Sequence, residues 1–203
     1  MAKKLPESYY LQENVVEIAK DLLGKSLFTK IDGKLTGGII TETEAYAGIT
    51  DKASHAYNGR RTDRTEIMYR KGGVSYVYFT YGMHYLFNVV TNNKDIPHAV
   101  LIRALFPLEG IKTMLKRTGK TKVDYNLTNG PAKLCKALGI TKKQNGLSLS
   151  GDIVWIENRG FKPEKNIIKS TPRIGIDYAG EDALLPYRFV LDLKYNDMKK
   201  IFT

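Results

Sequence analysis

The sequence predicts a single α+β domain over residues 1–203, built on an antiparallel sheet with helices packed against it. Three observations carry this: an early amphipathic stripe, a hairpin turn between two strand-like arms, and a meander that gives way to two short helices. From Glu13 to Leu23 the apolar residues Val15, Val16, Ile18, Ala19, Leu22 and Leu23 form a helical stripe, and Gly24 stands where a C-cap glycine belongs. Lys25–Lys30 and Lys34–Tyr46 flank Asp32-Gly33, a two-residue hairpin signal. Gly37-Gly38 inside the second arm predicts a bulge or a close approach of backbone. Ala47–Gly73 is rich in Gly, Asp, Asn, Thr and Arg without periodicity, and so long an irregular stretch is usually functional.

Val74–Tyr81, Tyr85–Thr91 and Ala99–Leu105 read as successive strands, with turns near Gly82 and at Asn92-Asn93-Lys94-Asp95. Leu108–Arg117 is predicted as a helix, with Pro107 near its start and Gly119 past its end. Pro131–Leu138 is a second helix, entered through Asn129-Gly130 and closed by Gly139. Short strand-like runs follow at Ile153–Glu157, Arg173–Ile176 and Tyr187–Leu191. The chain shows no internal repeat, low-complexity tract or linker, which supports one domain.

Composition narrows the classes. Hydrophobic residues at 42% suffice for a core, and no apolar run approaches the roughly 18 residues of a membrane span. Glu7 arrives before an apolar h-region can form, so no secretory signal is expected. The single cysteine, Cys135, excludes an internal disulfide and a cysteine-rich zinc site, and His55, His84 and His98 are too scattered for a histidine metal site. A cytoplasmic protein without metal or cofactor is therefore expected. The net charge of +11 favours a polyanionic partner, because each neutralised phosphate releases counterions. Thirteen tyrosines add stacking surface for bases.

Two segments hold the residue types that chemistry needs. In Thr41-Glu42-Thr43-Glu44-Ala45-Tyr46 an extended chain puts Glu42, Glu44 and Tyr46 on one face. That face reads either as a solvated strand surface or as a general base beside a substrate platform. In Tyr76-Val77-Tyr78-Phe79-Thr80-Tyr81-Gly82-Met83, Tyr76 and Tyr78 share one face and Val77 and Phe79 the other, expected to be the core. Tyrosines are ordinary strand formers, but these follow Arg60-Arg61-Thr62-Asp63-Arg64 and Arg70-Lys71-Gly72-Gly73. Basic loops joined to aromatic strands suit a nucleic-acid groove.

These residues resemble the alkyladenine (3-methyladenine or methylpurine) DNA glycosylases, in a compact bacterial form. The match runs in order through Glu42-Thr43-Glu44-Ala45-Tyr46-Ala47-Gly48, His55, Tyr76-Val77-Tyr78, Tyr81-Gly82-Met83 and Asn88. It continues through Leu101-Ile102-Arg103-Ala104-Leu105, Pro107-Leu108-Glu109-Gly110 and Asn129-Gly130-Pro131-Ala132-Lys133-Leu134-Cys135, and closes in Arg173-Ile174-Gly175-Ile176 with Tyr178-Ala179-Gly180-Glu181. The resemblance implies that the sheet is curved and open-barrel-like, flanked by helices, with a protruding β-hairpin. It implies a monofunctional enzyme that flips out alkylated or deaminated purines (3-methyladenine, 7-methylguanine, hypoxanthine and ethenoadenine are the class) and hydrolyses the N-glycosidic bond, starting base excision repair. The implied partner is double-stranded DNA containing damaged purines. No membrane or obligate protein partner is expected, and the chain is expected to act as a monomer near the nucleoid.

By the same resemblance Glu44 activates the attacking water, with Glu42 as its rival. Tyr46, His55 and Tyr78 wall the base pocket, and Asn88 crowds a guanine 2-amino group, or is a hydrogen-bonded core residue. Tyr81, with Met83 beside it, intercalates into the duplex. Arg103 lies near the water and phosphates, or forms a structural ion pair. Arg60, Thr62 and Arg64 match DNA-backbone contacts. Lys133, at a helix start, is a further phosphate candidate from the physics of helix N-termini alone. The competing readings are a catalytically silent binder of distorted DNA, an RNA-binding protein, and a bifunctional glycosylase using a lysine nucleophile.

Overall fold

Antiparallel pairing governs the architecture: among the described residues every strand pair is antiparallel, and the turns at 32–33, 81–83 and 92–97 are too short for a parallel crossover. The computed structural model describes residues 3–202. Its strands are β1 (Lys3–Lys4), β2 (Ser26–Ile31), β3 (Lys34–Tyr46), β4 (Ser75–Thr80), β5 (His84–Thr91), β6 (His98–Glu109), β7 (Val154–Asn158), β8 (Ile168–Thr171) and β9 (Arg188–Leu191). The helices are α1 (Glu7–Tyr10), α2 (Val15–Asp21), α3 (Ile111–Thr118), α4 (Pro131–Leu138) and α5 (Tyr195–Phe202). One sheet runs β1-β7-β2-β3-β6-β5-β4, and β9 joins β3 to β8. The sheet curls into an open half-barrel with helices packed on it, the α+β class the sequence predicts.

The long β3 is the spine. One edge pairs with β6 almost throughout; the other pairs first with β2 and then, at Glu42–Glu44, with β9. Register shifts interrupt the β3–β6 ladder at Gly37/Gly38, Ile40/Glu42 and Glu42/Thr43. Each such irregularity sharpens the local twist, so their concentration here bends the sheet. The expected bulge at Gly37-Gly38 is therefore present, together with the close approach. A Cβ on Gly37 would strike the Phe28 ring, and one on Gly38 the Phe106 carbonyl.

The helices begin and end where their caps dictate. The Asn14 side chain accepts from the N–H groups of Val16 and Glu17, worth about 1 kcal/mol, and starts α2. In α4, Pro131 opens the first turn and Gly139 closes it at φ 75°. Its Leu134, Cys135, Ala137 and Leu138 are buried in the main core beside Phe87, Val100 and Ile102. Burial of each leucine side chain there contributes roughly 1.5–3 kcal/mol.

Three sequence expectations need correction. The helix expected from Leu108 begins at Ile111, because β6 continues through Pro107 to Glu109, and Pro107 is tolerated at the Gly38 irregularity. Arg173–Ile176 is not a strand, since its polar groups bond to the site described below rather than to a ladder. Val77 enters the core, but Phe79 is half exposed against Tyr85, since the β4–β5 hairpin outruns the core.

Replacing Gly38 by alanine is expected to destabilise the protein by at least the upper end of the ~1–3 kcal/mol typical of overpacking, with no left-handed φ to complicate the reading. Urea denaturation checks it: the midpoint should fall at constant m-value, and an unchanged midpoint would mean that β3 and β6 slide apart without cost.

Candidate active site

The β3 segment Glu42–Glu44 lies between β6 and β9, and both carboxylates are buried there. Such charges persist only if cations and donors are buried with them. Glu42 accepts from Arg103 Nε at 2.7 Å and from Arg188 Nε at 2.6 Å, both on Oε1. Glu44 is fully buried. Its Oε1 accepts the backbone N–H of Ile174 at 2.9 Å and pairs with Arg103 Nη1 at 3.2 Å, while Oε2 accepts the Tyr46 hydroxyl at 2.8 Å. Burial and the Glu44 charge hold the Tyr46 phenol well above its ordinary value, so it stays a donor. Burial opposes the charge on Arg103, but Glu44 and Glu42 more than offset it and keep the guanidinium charged.

The Ile174 N–H is placed by its neighbour. The Arg173 guanidinium is buried between the Tyr46 and Tyr187 rings, at 4.9 and 5.4 Å. It forms a two-pronged pair with Asp51 at 2.5 and 2.9 Å, and also reaches the carbonyls of Ala45 and Asp182. Asp51 in turn accepts the N–H groups of Ala47 and Ala53. One buried ion pair thus ties together the end of β3, the loop after it and the segment that donates to Glu44.

All three partners of Glu44, namely Tyr46, Arg103 and Ile174, line a cavity of about 340 Å³. That lies within the range of small-ligand pockets. Its walls include Tyr46, His55, Tyr76, Tyr78, Asn88 and Tyr178. His55 meets Tyr78 edge to face at 4.7 Å, and its Nδ1 lies 2.9 Å from the Tyr76 hydroxyl. Arg64 donates to His55 Nε2 at 3.4 Å and covers the Tyr78 ring at 5.0 Å. Arginine has no acceptor, so His55 Nε2 accepts and the neutral ring carries its proton on Nδ1. Burial, then the charges of Arg64 and Arg60, lower the His55 pKa to about 4. Asn88 is buried on the cavity wall with its amide pinned to the Tyr76 carbonyl at 3.1 Å, so it is both a hydrogen-bonded residue and a lining one.

The remaining sequence candidates sit around the mouth. Tyr81 lines its edge at the tip of the β4–β5 hairpin, 83% exposed and in the left-handed region at φ 51°. Met83 is 69% exposed beside it. Arg60 and Thr62 lie on the exposed loop, whereas Arg64 reaches inward to the cavity. Lys133 is exposed on α4 within reach of Asn126, two residues from the cavity-lining Pro131. The strand face of Glu42 and Glu44 is not the solvated surface that the sequence allows as one of two readings, and the carboxylate is not open to the cavity. Glu44 is paired, and it lies directly behind the lining residues rather than among them. Glu42 is not a lining residue and is committed to two arginines.

Sequence reasoning missed Asp51, Arg188 and the Ile174 N–H, and gave Arg173 no role. A backbone donor has no sequence signature, and Arg173 meets Asp51 from 122 positions away. Among the described residues no group of three or more His, Cys, Asp or Glu converges as a metal site, and no helix is long and apolar enough to cross a membrane.

Residues 9–194 match the family model described as methylpurine-DNA glycosylase. A Chlamydia felis protein named "Putative 3-methyladenine DNA glycosylase" is 51% identical over 94% of this chain and 97% of its own length. A Bacillus cytotoxicus protein of the same name is 50% identical over 92% of this chain and 95% of its own length.

The low His55 pKa sets a pH dependence. An unfolded histidine takes up a proton near its ordinary 6.5, the folded one only near 4, so this contribution to stability is complete above about pH 6.5 and is lost as the pH falls towards 4. NMR titration should place the His55 midpoint near 4, and the drop in urea midpoint between neutral pH and the acid end of that window should shrink in H55Q.

Proposed function

The chain belongs to the methylpurine-DNA glycosylase family, and we propose that it removes alkylated and deaminated purines from double-stranded DNA through a water activated by Glu44. One observation carries this reading: a buried carboxylate whose three partners are all walls of an aromatic cavity. The family acts in DNA repair, and this activity starts base excision.

The glycosidic bond is inaccessible within a duplex, so the nucleotide must swing out, at a cost of a few kcal/mol that is least for a damaged or mispaired base. Tyr81 fills the gap in the stack, as an exposed aromatic ring at a hairpin tip can, with Met83 beside it. The extruded purine stacks between Tyr46, His55 and Tyr78. A base made cationic by alkylation gains roughly 0.5–2 kcal/mol against such rings. Asn88 resists a guanine 2-amino group, because its amide is already held by Tyr76. Arg60, Thr62, Arg64 and Lys133 contact phosphates, which fixes the duplex without reading its sequence.

Water enters between Tyr46, Arg103 and Ile174. A carboxylate offers four acceptor positions, and among the described residues Oε2 of Glu44 has the Tyr46 hydroxyl as its one hydrogen-bond partner. The water oxygen bonds to C1′ as the bond from C1′ to the purine nitrogen breaks. The bonding pair leaves with the base, Glu44 takes the water proton, and an abasic sugar remains. The negative charge of Glu44 also stabilises the oxocarbenium-like sugar before attack. No lysine is among the residues lining the cavity, which favours water over a lysine nucleophile.

Glu44→Gln should reduce excision by about 10²-fold or more, the usual scale of general-base assistance, while lesion binding persists. A hypoxanthine-containing duplex, cleaved with alkali at abasic sites, reads this directly. Strand breaks at the wild-type rate would refute the role of Glu44, and no breaks from the wild-type protein over a lesion panel would favour a silent binder. Tyr81→Ser should narrow the affinity gap between lesion and intact duplexes; a gap equal to that of the wild type would remove Tyr81 from the stack.

A further inference from the structure

Glu42 does not line the cavity and meets the groups around the water only through Arg103, yet it is buried at high cost on the same strand face as Glu44. Its position relative to Arg103 gives that burial a purpose. Along the β3–β6 ladder Glu42 pairs with Ala104 and Thr43 with Ile102, so Arg103 is the extra residue of a bulge. Bulges re-aim side chains, and this one turns Arg103 towards both carboxylates. Its carbonyl is held from behind by the Gly130 N–H at 3.0 Å.

The guanidinium divides itself unequally. Glu42 takes Nε in a 2.7 Å hydrogen bond, whereas Nη1 reaches Glu44 only as a longer, 3.2 Å ion pair. An arginine facing a lone carboxylate ordinarily forms a fork of two parallel bonds, one to each oxygen. A fork on Glu44 would load Oε2, where Tyr46 already donates, and leave it no free position for water. Glu42 opposes this by holding the Nε edge, which fixes the orientation of the guanidinium plane so that Nη1 alone meets Glu44. Arg188 holds Glu42 in turn, through Nε at 2.6 Å, while its Nη1 is anchored on Thr171 at 3.0 Å.

We propose that Glu42 is a positioning residue: it restrains Arg103 to a single-nitrogen contact with Glu44 and so keeps an acceptor position on Glu44 open for the attacking water. The proposal rests on the reading of Glu44 as the base, and the experiment separates the two. Single-turnover excision and lesion-duplex affinity are measured for E42L, E42L/R103K and E44Q. In E42L the freed Arg103 forks onto Glu44, and the rate should fall about 10- to 100-fold, part of the ~10²–10⁴ that a general base supplies, with affinity unchanged. Lysine carries its charge as a point and cannot fork, so E42L/R103K should excise faster than E42L. A merely structural role for Glu42 predicts the opposite, a second loss added to the first. Wild-type excision by E42L, or a double variant no faster than the single one, overturns the proposal. Undiminished excision by E44Q overturns instead the reading of Glu44. Should E42L lose its cooperative melting transition, E42M and E42M/R103K, which likewise offer Arg103 no oxygen acceptor at this position, replace the pair, and the same two outcomes decide.

Discussion

Two carboxylates two residues apart on one buried strand face repel each other and lose their hydration together. The fold tolerates Glu42 and Glu44 because it brings cations from two other strands to them, Arg103 from β6 and Arg188 from β9. This requirement shapes much of the architecture. It needs β3 to keep β6 on one edge while exchanging β2 for β9 on the other, and it needs the ladder to break where Arg103 must turn inward. The same breaks bend the sheet around the cavity. Curvature and charge compensation therefore have one origin.

The aromatic slot depends on that network as well. Tyr46 is at once a wall and a donor to Glu44, and the Arg173 guanidinium packs against its ring while clamping Asp51. Moving Tyr46 to suit a ligand would break its bond to the buried carboxylate. The wall nearest Glu44 is consequently tied to the carboxylate. Elsewhere on the cavity wall Tyr78 and His55 hold each other edge to face, and Arg64 covers them from an exposed loop.

Local sequence signals revealed the elements whose cause is local. The Asp32-Gly33 turn, the Asn14-capped helix and the Pro131–Gly139 helix all carry their own start or stop residues. The alternation of Glu42, Glu44 and Tyr46 was equally legible, and Tyr46 does bond Glu44. What stayed hidden was long-range. Pro107 looks like a helix start, and only the partner glycine at position 38 explains its place in a strand. Arg173 looks like part of a strand until Asp51 and the Ala45 carbonyl supply its bonds. Glu42 and Glu44 are nearly indistinguishable in the sequence; they differ in the structure by their partners, since those named for Glu44 all line the cavity whereas Glu42 also holds Arg188, which does not.

That separation follows a gradient of constraint across the site. Behind the cavity the carboxylate oxygens of Glu42 and Glu44 that have a partner are held by a backbone N–H, a phenol or a guanidinium, brought together by β3, β6, β9 and the segment that carries Ile174. At its mouth the Tyr81 ring projects into solvent from a left-handed backbone, a conformation costing of order 1–3 kcal/mol for a residue with a side chain. Burial does not repay that strain, since little of Tyr81 is covered, and Gly82 beside it also takes a positive φ. On the proposed reading, a duplex that accepts the ring into its stack would supply the apolar surface the isolated protein withholds. Constraint thus belongs to the carboxylate, to which the proposed function gives the proton transfer, and exposure to the hairpin, to which it gives the first contact with the duplex.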